Sequence, residues 1–465
     1  MSLLRILLDS NPRFALHLPV HGRGEALPPR LKRLLRQQPG CWDLPELPEI
    51  GGPLDADGAI AESQAFFAAR MGVDCCWFGV NGATGLLQAA LLAMAAPGEA
   101  VLLPRNAHRS LIAACELGGL LPVFLPVPFD VERGHPGAMT ADGLSRSLDA
   151  LPDLGCRLAA AVLVHPTYHG YAAEIAPLVD LLHARGLPVL VDEAHGSHLA
   201  FATGMGLPPS ALTTAADLVV HSLHKSAPGL AQTAVLWQRT TRISSASLRL
   251  SLQRLQSSSP SALLLASCEA TLDWMLSNRW SKLLQQRLEQ ARRLHDRLDR
   301  HGVPRHPSDD PFRLILNTAT VGVSGLQADT WFMSRGLIAE LPEPLCLTLC
   351  LGFARHRGLS AKLRQLWPLF IKEQGGPSLG AVAAPPLDSV RVVELSPAAV
   401  SHRSSLELPL HQCADRIAAE MICPYPPGIP LLVPGERIDP PRVQWLQRQH
   451  ARWPEQVPGK VKVLA

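Results

Sequence analysis

Two short apolar runs in the sequence each lead directly to a charged side chain. Lys225 follows the run 218–220 within the sequence HSLHKS, and Asp192 follows the run 189–191 within VDEAHGSH. An amine can form an imine with a carbonyl group, whereas a carboxylate can bind a metal, act as a base or neutralise a cationic ring nitrogen. Because the carboxyl ends of parallel strands meet at one edge of a sheet, we expect both groups to lie at one site.

Two further turns could hold an anion and a ring. The sequence NGATG at 81–85 lies between an apolar run and a helical run, so its N–H groups could bind an anion, with Thr84 supplying a hydroxyl. The sequence RNAHRS at 105–110 places His108 at another strand-to-helix turn. The turn at 81–85 matches neither GxGxxG nor GxxxxGK[ST], so nucleotide binding is not indicated.

A metal site is the main alternative for the carboxylate. Asp192, His195 and His198 are suitable ligand types, but their spacing matches no helix-based zinc signature. The ten cysteines are scattered and form no pair of CxxC motifs, so buried free thiols are the expected state. We therefore predict no metal site.

Taken together, the four windows supply what pyridoxal phosphate requires. That cofactor needs a lysine for the imine, an acid opposite the pyridinium nitrogen, a phosphate cup and a group that stacks on the ring. In this combination the sequence resembles the prokaryotic ornithine/lysine/arginine decarboxylases of the short, biosynthetic type, whose fold is that of aspartate aminotransferase. The resemblance extends from about His17 to Trp445 and includes NGATG, RNAHRS, HPTYHG at 165–170, DEAHGSH, SLHK and PYPPGIPLLVPGE at 424–436.

The resemblance implies a role for individual residues. Lys225 would bond the cofactor, His108 would stack on its ring, and Asp192 would pair with the pyridine nitrogen. The other implied cofactor contacts are Gly82, Ala83 and Thr84 in the phosphate cup, Ser222 and His224 as phosphate ligands, Ala194 on the second ring face, and Thr167 near the ring hydroxyl.

The implied substrate is a small basic amino acid. Glu436, in the PGE motif, would bind its distal amine or guanidinium group, and Asp309, Asp310 and Glu340 are further carboxylates in the second half of the chain. The implied reaction is decarboxylation of lysine, arginine or ornithine to CO2 and an amine of polyamine biosynthesis. By the same resemblance, we expect a homodimer or a higher homo-oligomer.

Two other functions stay open at this point. An aminotransferase or aldolase could use the same fold, and a transaminase would need an arginine for the substrate carboxylate, for which Arg403 or Arg416 could serve. A non-catalytic homologue is suggested by two departures from the family pattern. Val20 stands in a turn that usually has glycine, and Ala83 replaces a hydroxyl residue in the phosphate cup.

The order of apolar runs and helical patterns predicts an α/β fold. Apolar runs at 100–103, 160–164, 188–191 and 218–221 alternate with helical patterns of about ten residues, which favours a mostly parallel sheet covered on both faces. With the resemblance, this predicts a fold-type-I, transferase-like domain that binds pyridoxal phosphate. We expect an N-terminal arm at 1–50, this large domain at 51–305, and a smaller α+β C-terminal part at 306–465.

Composition excludes several other classes of protein. Of the 465 residues, 47% are hydrophobic and 18% are charged, as in a compact globular chain. A net charge of +3, with 43 basic and 40 acidic residues, gives no attraction to nucleic acid or to an anionic membrane. No apolar stretch approaches the roughly 20 residues that span a bilayer, and the N-terminus does not read as a secretory signal. We therefore expect a cytoplasmic protein.

Overall fold

The centre of the molecule is a mixed sheet. The structure, a computed structural model, describes residues 3–9, 12–45, 47–424, 429–454 and 456–465. Within these ranges eight strands form the central sheet. Their order across the sheet is Arg391–Val392, Leu121–Leu125, Ala100–Pro104, Leu158–Val164, Val189–Asp192, Leu218–Ser222, Ala234–Gln238 and Cys75–Gly79.

Most neighbouring strands of this sheet are parallel, as the sequence predicts. Ala234–Gln238 and Arg391–Val392 pair antiparallel with their neighbours. The inner strands are buried on both faces: Leu102 and Val191 belong to one core cluster, whereas Val101 and Leu190 belong to the other. Burial on both faces explains why these strands read as continuous apolar runs rather than as alternating patterns.

Helices contribute to both core clusters. One cluster contains residues of the helices Gly82–Met94, Arg109–Gly118 and Ser245–Leu255. The other contains residues of Ala59–Met71, Ile175–Ala184, Ala262–Met275 and Asn278–Arg300. In the longest helix, Trp280, Leu284 and Leu288 recur at helical spacing on the buried side, and the Ser277 hydroxyl caps the first turn by accepting from the Trp280 N–H at 3.2 Å. The two longest helices of the large domain thus pack against the sheet through apolar residues at helical spacing.

A smaller antiparallel sheet follows. In the described part of the chain it has four strands, in the order Arg305–His306, Arg313–Leu316, Leu347–Cys350 and Leu341–Pro342. The last two form a hairpin whose turn is closed by the Glu343 N–H, which donates to the Cys346 carbonyl at 2.9 Å. The helices Gly325–Met333 and Leu359–Gln374 accompany this sheet.

The C-terminal part has a core of its own. Strands Ser405–Pro409 and Lys460–Leu464 pair antiparallel, and the helix Pro440–Arg452 contributes Trp445 and Leu446 to the same cluster. The strand Arg391–Val392 returns to the edge of the central sheet. A strand of the predicted C-terminal part thus belongs to the sheet of the large domain. The domain boundaries stay predictions.

The N-terminal segment is more regular than predicted. It contains the helices Leu3–Asp9 and Pro29–Leu34, and its strand Phe14–Ala15 pairs parallel with Leu337–Ile338. None of the described helices is long and apolar enough to cross a membrane. The remaining elements are the helices Ala141–Asp149 and Pro397–Ser401, the strands Phe129–Asp130 and His135–Pro136, and the 3-10 turns Leu199–Phe201, Ala211–Thr213, Ala319–Val321 and Leu410–Gln412.

Candidate active site

Four neighbouring parallel strands each bring one predicted cofactor residue to the same edge of the sheet. In sheet order, His108 follows Ala100–Pro104, Thr167 follows Leu158–Val164, Asp192 ends Val189–Asp192, and Lys225 follows Leu218–Ser222. All four side chains line one cavity of about 710 Å³. Ligands of open α/β sheets bind at this edge, outside the carboxyl ends of the strands.

The amine of Lys225 is held next to a histidine that the sequence singled out only as a possible metal ligand. Lys225 Nζ lies 3.3 Å from Nε2 of His195, and Nδ1 of His195 lies 3.3 Å from an Nη atom of Arg313. A guanidinium can only donate, so Nδ1 must accept. In its neutral form the ring then carries its hydrogen on Nε2, where it can donate to the Lys225 amine once that amine has lost its proton.

Electrostatics at Lys225 favour that uncharged amine. Burial lowers the pKa of Lys225 below its usual 10.5, and Arg313 lowers it further, whereas Asp192 and Glu340 oppose the shift. Burial, the charge of Lys225 while its amine is protonated, and the charge of Arg313 lower the pKa of His195 well below 6.5, so this ring is neutral at neutral pH. A neutral lysine is the nucleophilic form, as attack on a carbonyl requires.

Asp192 is a nearly buried carboxylate on a rigid strand end. Its side chain is 7% exposed, and Oδ1 accepts from the Ala194 N–H at 3.1 Å. The next residue, Glu193, fixes the strand end through its buried carboxylate. This carboxylate lies 2.7 Å from His221 Nε2 and accepts from the Ser210 hydroxyl at 2.6 Å. Buried hydrogen bonds of this kind hold the Asp192 carboxylate towards the cavity.

His108 lies at a helix start, as the RNAHRS turn predicts. It is the N-cap residue of Arg109–Gly118, and its Nδ1 accepts from the Ser110 N–H at 3.2 Å and lies 2.7 Å from the Ser110 hydroxyl. With Nδ1 engaged, the ring has a fixed orientation at the cavity wall. A ring held in this way is suited to stacking on a planar ligand.

Thr167 and Ala194 are buried next to these groups. Thr167 lies in a tight turn in which its hydroxyl accepts from the Tyr171 N–H at 3.1 Å, and its own N–H donates to the Tyr171 carbonyl at 2.9 Å. Ala194 is 3% exposed and lies two residues after Asp192 in the chain. Both positions agree with a contact to a bound ring, although only Thr167 lines the cavity.

The residues of the predicted phosphate cup are not among those that line the cavity. Gly82 starts the helix Gly82–Met94 with a φ of +70°, and its N–H donates to the Gln232 carbonyl at 2.7 Å. That N–H is therefore not available to an anion in this conformation. The N–H groups of Ala83 and Thr84 belong to the first turn, which has no intrahelical acceptors for them, and the Thr84 side chain is exposed.

Ser222 ends its strand, and His224 directly precedes Lys225 in the chain. The Ser222 hydroxyl lies 3.2 Å from His224 Nδ1. Burial and the charge of Lys225 lower the pKa of His224 to about 4, so this side chain is neutral at neutral pH. It can therefore contribute a hydrogen bond to a phosphate, but not a positive charge.

Glu436 occupies a different position from the one its predicted role requires. It is 2% exposed and does not line the cavity; both of its oxygens accept from the Arg105 guanidinium, at 2.7 and 2.8 Å. Arg442 lies 3.3 Å away, and the Val433 N–H donates to the same carboxylate at 2.9 Å. This placement supports a structural role, and the substrate contact stays a prediction.

Three residues that received no catalytic role from the sequence lie close to Lys225. Tyr168 lines the cavity and its hydroxyl donates to the Glu340 carboxylate, while the Arg313 Nε donates to the Tyr168 carbonyl at 3.1 Å. Glu340 also accepts from the Leu18 N–H at 2.7 Å. The HPTYHG motif contains Tyr168, but nothing local in the sequence links it to residues 313 and 340.

The departure at Val20 has a simple structural explanation. The left-handed conformations of this turn fall on Gly22 and Arg23, with φ of +54° at each, and not on Val20. Val20 is buried, and its N–H donates to the His224 carbonyl at 3.1 Å. A β-branched residue is therefore accommodated, and it links the N-terminal segment to the Lys225 loop.

The fold and the site together are those of an enzyme that uses pyridoxal phosphate as its cofactor. Comparison with known families identifies which class of such enzymes this is. Residues 11–340 match the major domain of the Orn/Lys/Arg decarboxylases, and residues 393–462 match their C-terminal domain. The chain therefore belongs to the Orn/Lys/Arg decarboxylase family and is a pyridoxal-phosphate-dependent amino-acid decarboxylase. The resemblance and the fold class predicted from the sequence are confirmed.

Individual relatives cover most of the chain. It is 28% identical to an arginine decarboxylase of Halalkalibacterium halodurans, over 93% of this chain and 90% of that protein. It is likewise 28% identical to an arginine decarboxylase of Bacillus subtilis, over 92% and 89%. A lysine decarboxylase of Pseudomonas aeruginosa is 24% identical over 84% of this chain and 67% of its own length.

Solved structures show the same fold. Lysine decarboxylase A from Pseudomonas aeruginosa superposes with a TM-score of 0.76 at 18% identity, covering 100% of this chain and 80% of that one. The constitutive lysine decarboxylase of E. coli gives a TM-score of 0.75 at 17% identity, with 100% and 81% covered. A serine palmitoyltransferase of S. paucimobilis with bound pyridoxal phosphate gives 0.51 at 16% identity, over 66% and 75%.

The residues present fit pyridoxal phosphate. The cavity offers an amine whose pKa is lowered, a nearly buried carboxylate on the adjacent strand, and an oriented histidine ring. These are the three kinds of group that would bond the aldehyde, hold the proton on the ring nitrogen and stack on the ring.

Proposed function

We propose that this decarboxylase acts on arginine in preference to lysine or ornithine, with Lys225, Asp192 and His108 as its central residues. The observation that carries the site assignment is the delivery of Lys225, Asp192, Thr167 and His108 into one cavity by four adjacent strands. Arginine is favoured because relatives named arginine decarboxylase match about nine-tenths of both chains, whereas the lysine decarboxylase of Pseudomonas aeruginosa matches less of its own length.

The first task of the site is to keep one amine nucleophilic. Lys225 holds the cofactor, which when bound acts as the sink for the electron pair left by the departing carboxylate. His195 stabilises the neutral amine by donating from Nε2, because Arg313 occupies its Nδ1. Arg313 thus acts on Lys225 through His195 and through its own charge.

The second task is to keep a proton on the ring nitrogen of the cofactor. Asp192 has one oxygen engaged by the Ala194 N–H and is nearly buried, so its charge is little screened by water. An ionised carboxylate in this place favours a protonated pyridine nitrogen by a charge-assisted hydrogen bond. Ala194 and His108 would confine the ring from its two faces.

The third task is to recognise a cationic side chain. Glu436 is the predicted contact, but Arg105 neutralises it within the chain. Glu340 is the better candidate, because it acts electrostatically on Lys225 and accepts from the hydroxyl of Tyr168, which lines the cavity. A carboxylate can bind a guanidinium through two hydrogen bonds, which a simple amine cannot reproduce. Each Glu340 oxygen already accepts one bond, from the Leu18 N–H and from the Tyr168 hydroxyl, so a guanidinium would use the remaining lone pairs.

Assembly and location complete the proposal. We expect a homodimer, since C2 pairing is the commonest oligomeric form and the resemblance implies it. All ten cysteines are free thiols, which agrees with a reducing, cytoplasmic location. Sedimentation or light scattering of the purified protein would test the dimer.

A product assay tests the proposed activity. Purified protein loaded with pyridoxal phosphate is given arginine, lysine or ornithine in turn, and CO2 and the corresponding amine are measured. We expect agmatine from arginine at the highest kcat/KM, and no product from Lys225→Ala. Formation of a keto acid would instead identify an aminotransferase, and a protein that takes up cofactor but transforms none of the three substrates would overturn the proposal.

A further inference from the structure

A buried cluster of metal-binding side chains lies beside the active-site cavity. Ligand atoms of His135, Glu343 and Cys346 all lie within 4.8 Å of one another. The three residues are 0%, 1% and 0% exposed. They come from two segments about 200 positions apart, so no spacing motif in the sequence points to them.

Several polar atoms of this cluster have no partner. Both ring nitrogens of His135 and Oε1 of Glu343 are buried without a hydrogen bond among the described residues. Buried polar atoms are nearly always satisfied, so a buried imidazole without any partner needs an explanation. A bound cation would satisfy one ring nitrogen of His135 and the free oxygen of Glu343.

The side chains are held in fixed positions. The His135 ring stacks on His169 at 3.8 Å with an angle of 12° between the ring planes, and it also stacks on Tyr171 at 5.4 Å. Glu343 and Cys346 are the two ends of the hairpin turn closed by their own backbone hydrogen bond. A site built on a turn and a stacked ring is preorganised for binding.

We propose that His135, Glu343 and Cys346 bind a divalent metal ion of the zinc class. Nitrogen, oxygen and sulfur donors are the set that Zn²⁺ accepts, at about 2.0–2.3 Å in tetrahedral geometry. Cys346 Sγ now donates to Glu343 Oε2 at 3.2 Å, so binding replaces this S–H bond by a metal–thiolate bond and releases the thiol proton to water. The Glu343 carboxylate and the Cys346 thiolate then neutralise the two positive charges.

The surroundings suit such a centre. His169 Nε2 lies 2.7 Å from Glu343 Oε2, so this ring can donate to the coordinating carboxylate and orient it. His169 and Pro136 also line the active-site cavity. The metal would therefore connect the strand His135–Pro136 to the hairpin at 341–350. This connection would stabilise the cavity wall where Tyr168 and Leu341 lie. The proposal does not depend on which amino acid the enzyme decarboxylates.

Metal content and spectroscopy test the proposal. The cofactor-loaded full chain is stripped with a chelator, incubated with Zn²⁺ or Co²⁺, freed of excess metal, and examined by elemental analysis and absorption. We expect about one ion per chain and a thiolate-to-Co²⁺ charge-transfer band. Cys346→Ser should abolish the band, and His135→Phe, which keeps the stacked ring, should weaken binding at least tenfold.

A matched control separates the site from other thiols. Cys115→Ser removes a fully buried free thiol from the helix Arg109–Gly118 and should keep the metal and the band. If the variants fail to fold, the wild-type protein still gives an answer, because Zn²⁺ but not Mg²⁺ should raise its melting temperature. Metal retained equally by Cys346→Ser, or a wild-type protein with no tightly held ion and no band, would overturn the proposal. These readouts do not depend on decarboxylase activity.

Discussion

Lys225 Nζ and His195 Nε2 lie 3.3 Å apart, and the orientation of this pair is set from the far side of the histidine ring by Arg313. The histidine contact and the lowered pKa both favour the uncharged form of this buried lysine. A buried ammonium would need a counter-ion or a lowered pKa, and here burial lowers the pKa.

The lowered pKa predicts how cofactor attachment depends on pH. Only the neutral amine reacts, so the rate at which the apoprotein binds pyridoxal phosphate should rise with pH through a midpoint below 10.5. Glu340 raises the pKa of Lys225, so Glu340→Gln should move this midpoint to lower pH. Glu289→Gln, an exposed position on a distant helix, serves as the control. An upward shift in Glu340→Gln would contradict the assignment.

Replacing the lysine itself should remove covalent attachment of the cofactor. Lys225→Ala should lose decarboxylase activity and the visible absorption of lysine-bound cofactor, while its unfolding transition stays close to that of the wild type. Lys282→Ala, an exposed lysine on the helix Asn278–Arg300, should keep both properties. Absorption spectra before and after borohydride reduction make the comparison, and attachment that survives in Lys225→Ala would refute the role.

The charge of Asp192 should matter for the rate more than for the fold. In Asp192→Asn the amide no longer favours a protonated ring nitrogen, so electrostatic stabilisation of the developing charge is lost. We expect kcat to fall by about 10²–10³, the range found when one such group is removed. Stopped-flow and steady-state kinetics measure this; an unchanged kcat with a raised KM would instead indicate a binding role.

Local patterns carried most of the fold prediction. The apolar runs at 160–164, 188–191 and 218–221 predict their strands within a few residues, because burial on both faces gives inner strands a continuous apolar sequence. The strand Ala234–Gln238 was not predicted, since it is short and lies antiparallel between two parallel-type strands. Its sequence AVLWQ is an apolar run like the others, but no helical pattern separates it from the strand Leu218–Ser222.

The site was predictable where each residue follows its own strand. His108, Thr167, Asp192 and Lys225 share this property, and the strand order then brings them together. Arg313 and Glu340 reach the site from another sheet, and the cluster of His135 with Cys346 depends on contacts between distant segments. Such long-range pairings leave no signature in local spacing, so local motifs could not point to these groups.

The lowered pKa of His224 predicts an acid-sensitive contribution to stability. Its pKa is about 4 in the folded protein and about 6.5 when unfolded, so between these values the unfolded chain binds more protons. This contribution is fully present above pH 6.5 and is lost as the pH falls towards 4. The free energy of unfolding of His224→Gln should therefore decrease less between pH 7 and pH 4.5 than that of the wild type. His411→Gln, at an exposed position, should behave like the wild type.

The buried ion pair between Arg105 and Glu436 allows the two roles of Glu436 to be separated. The guanidinium donates to both carboxylate oxygens and to the carbonyls of Pro430 and Leu431, all at 2.7–2.8 Å. Glu436→Gln leaves the Arg105 charge buried without its counter-ion, which costs about 3–5 kcal/mol in such pairs. We expect a loss of stability of this order in denaturant unfolding, with KM for arginine nearly unchanged.

The matched control for this prediction is an ion pair at the surface. Glu394 and Arg437 are also bidentate, at 2.6 and 2.7 Å, but their side chains are 45% and 49% exposed. Water screens them, so Glu394→Gln should cost at most about 1 kcal/mol. The contrary result would be a KM for arginine raised at least tenfold in Glu436→Gln, with a loss of stability as small as in Glu394→Gln. In that case the Glu436 carboxylate would bind the substrate, and Arg105 would have to release it when arginine binds.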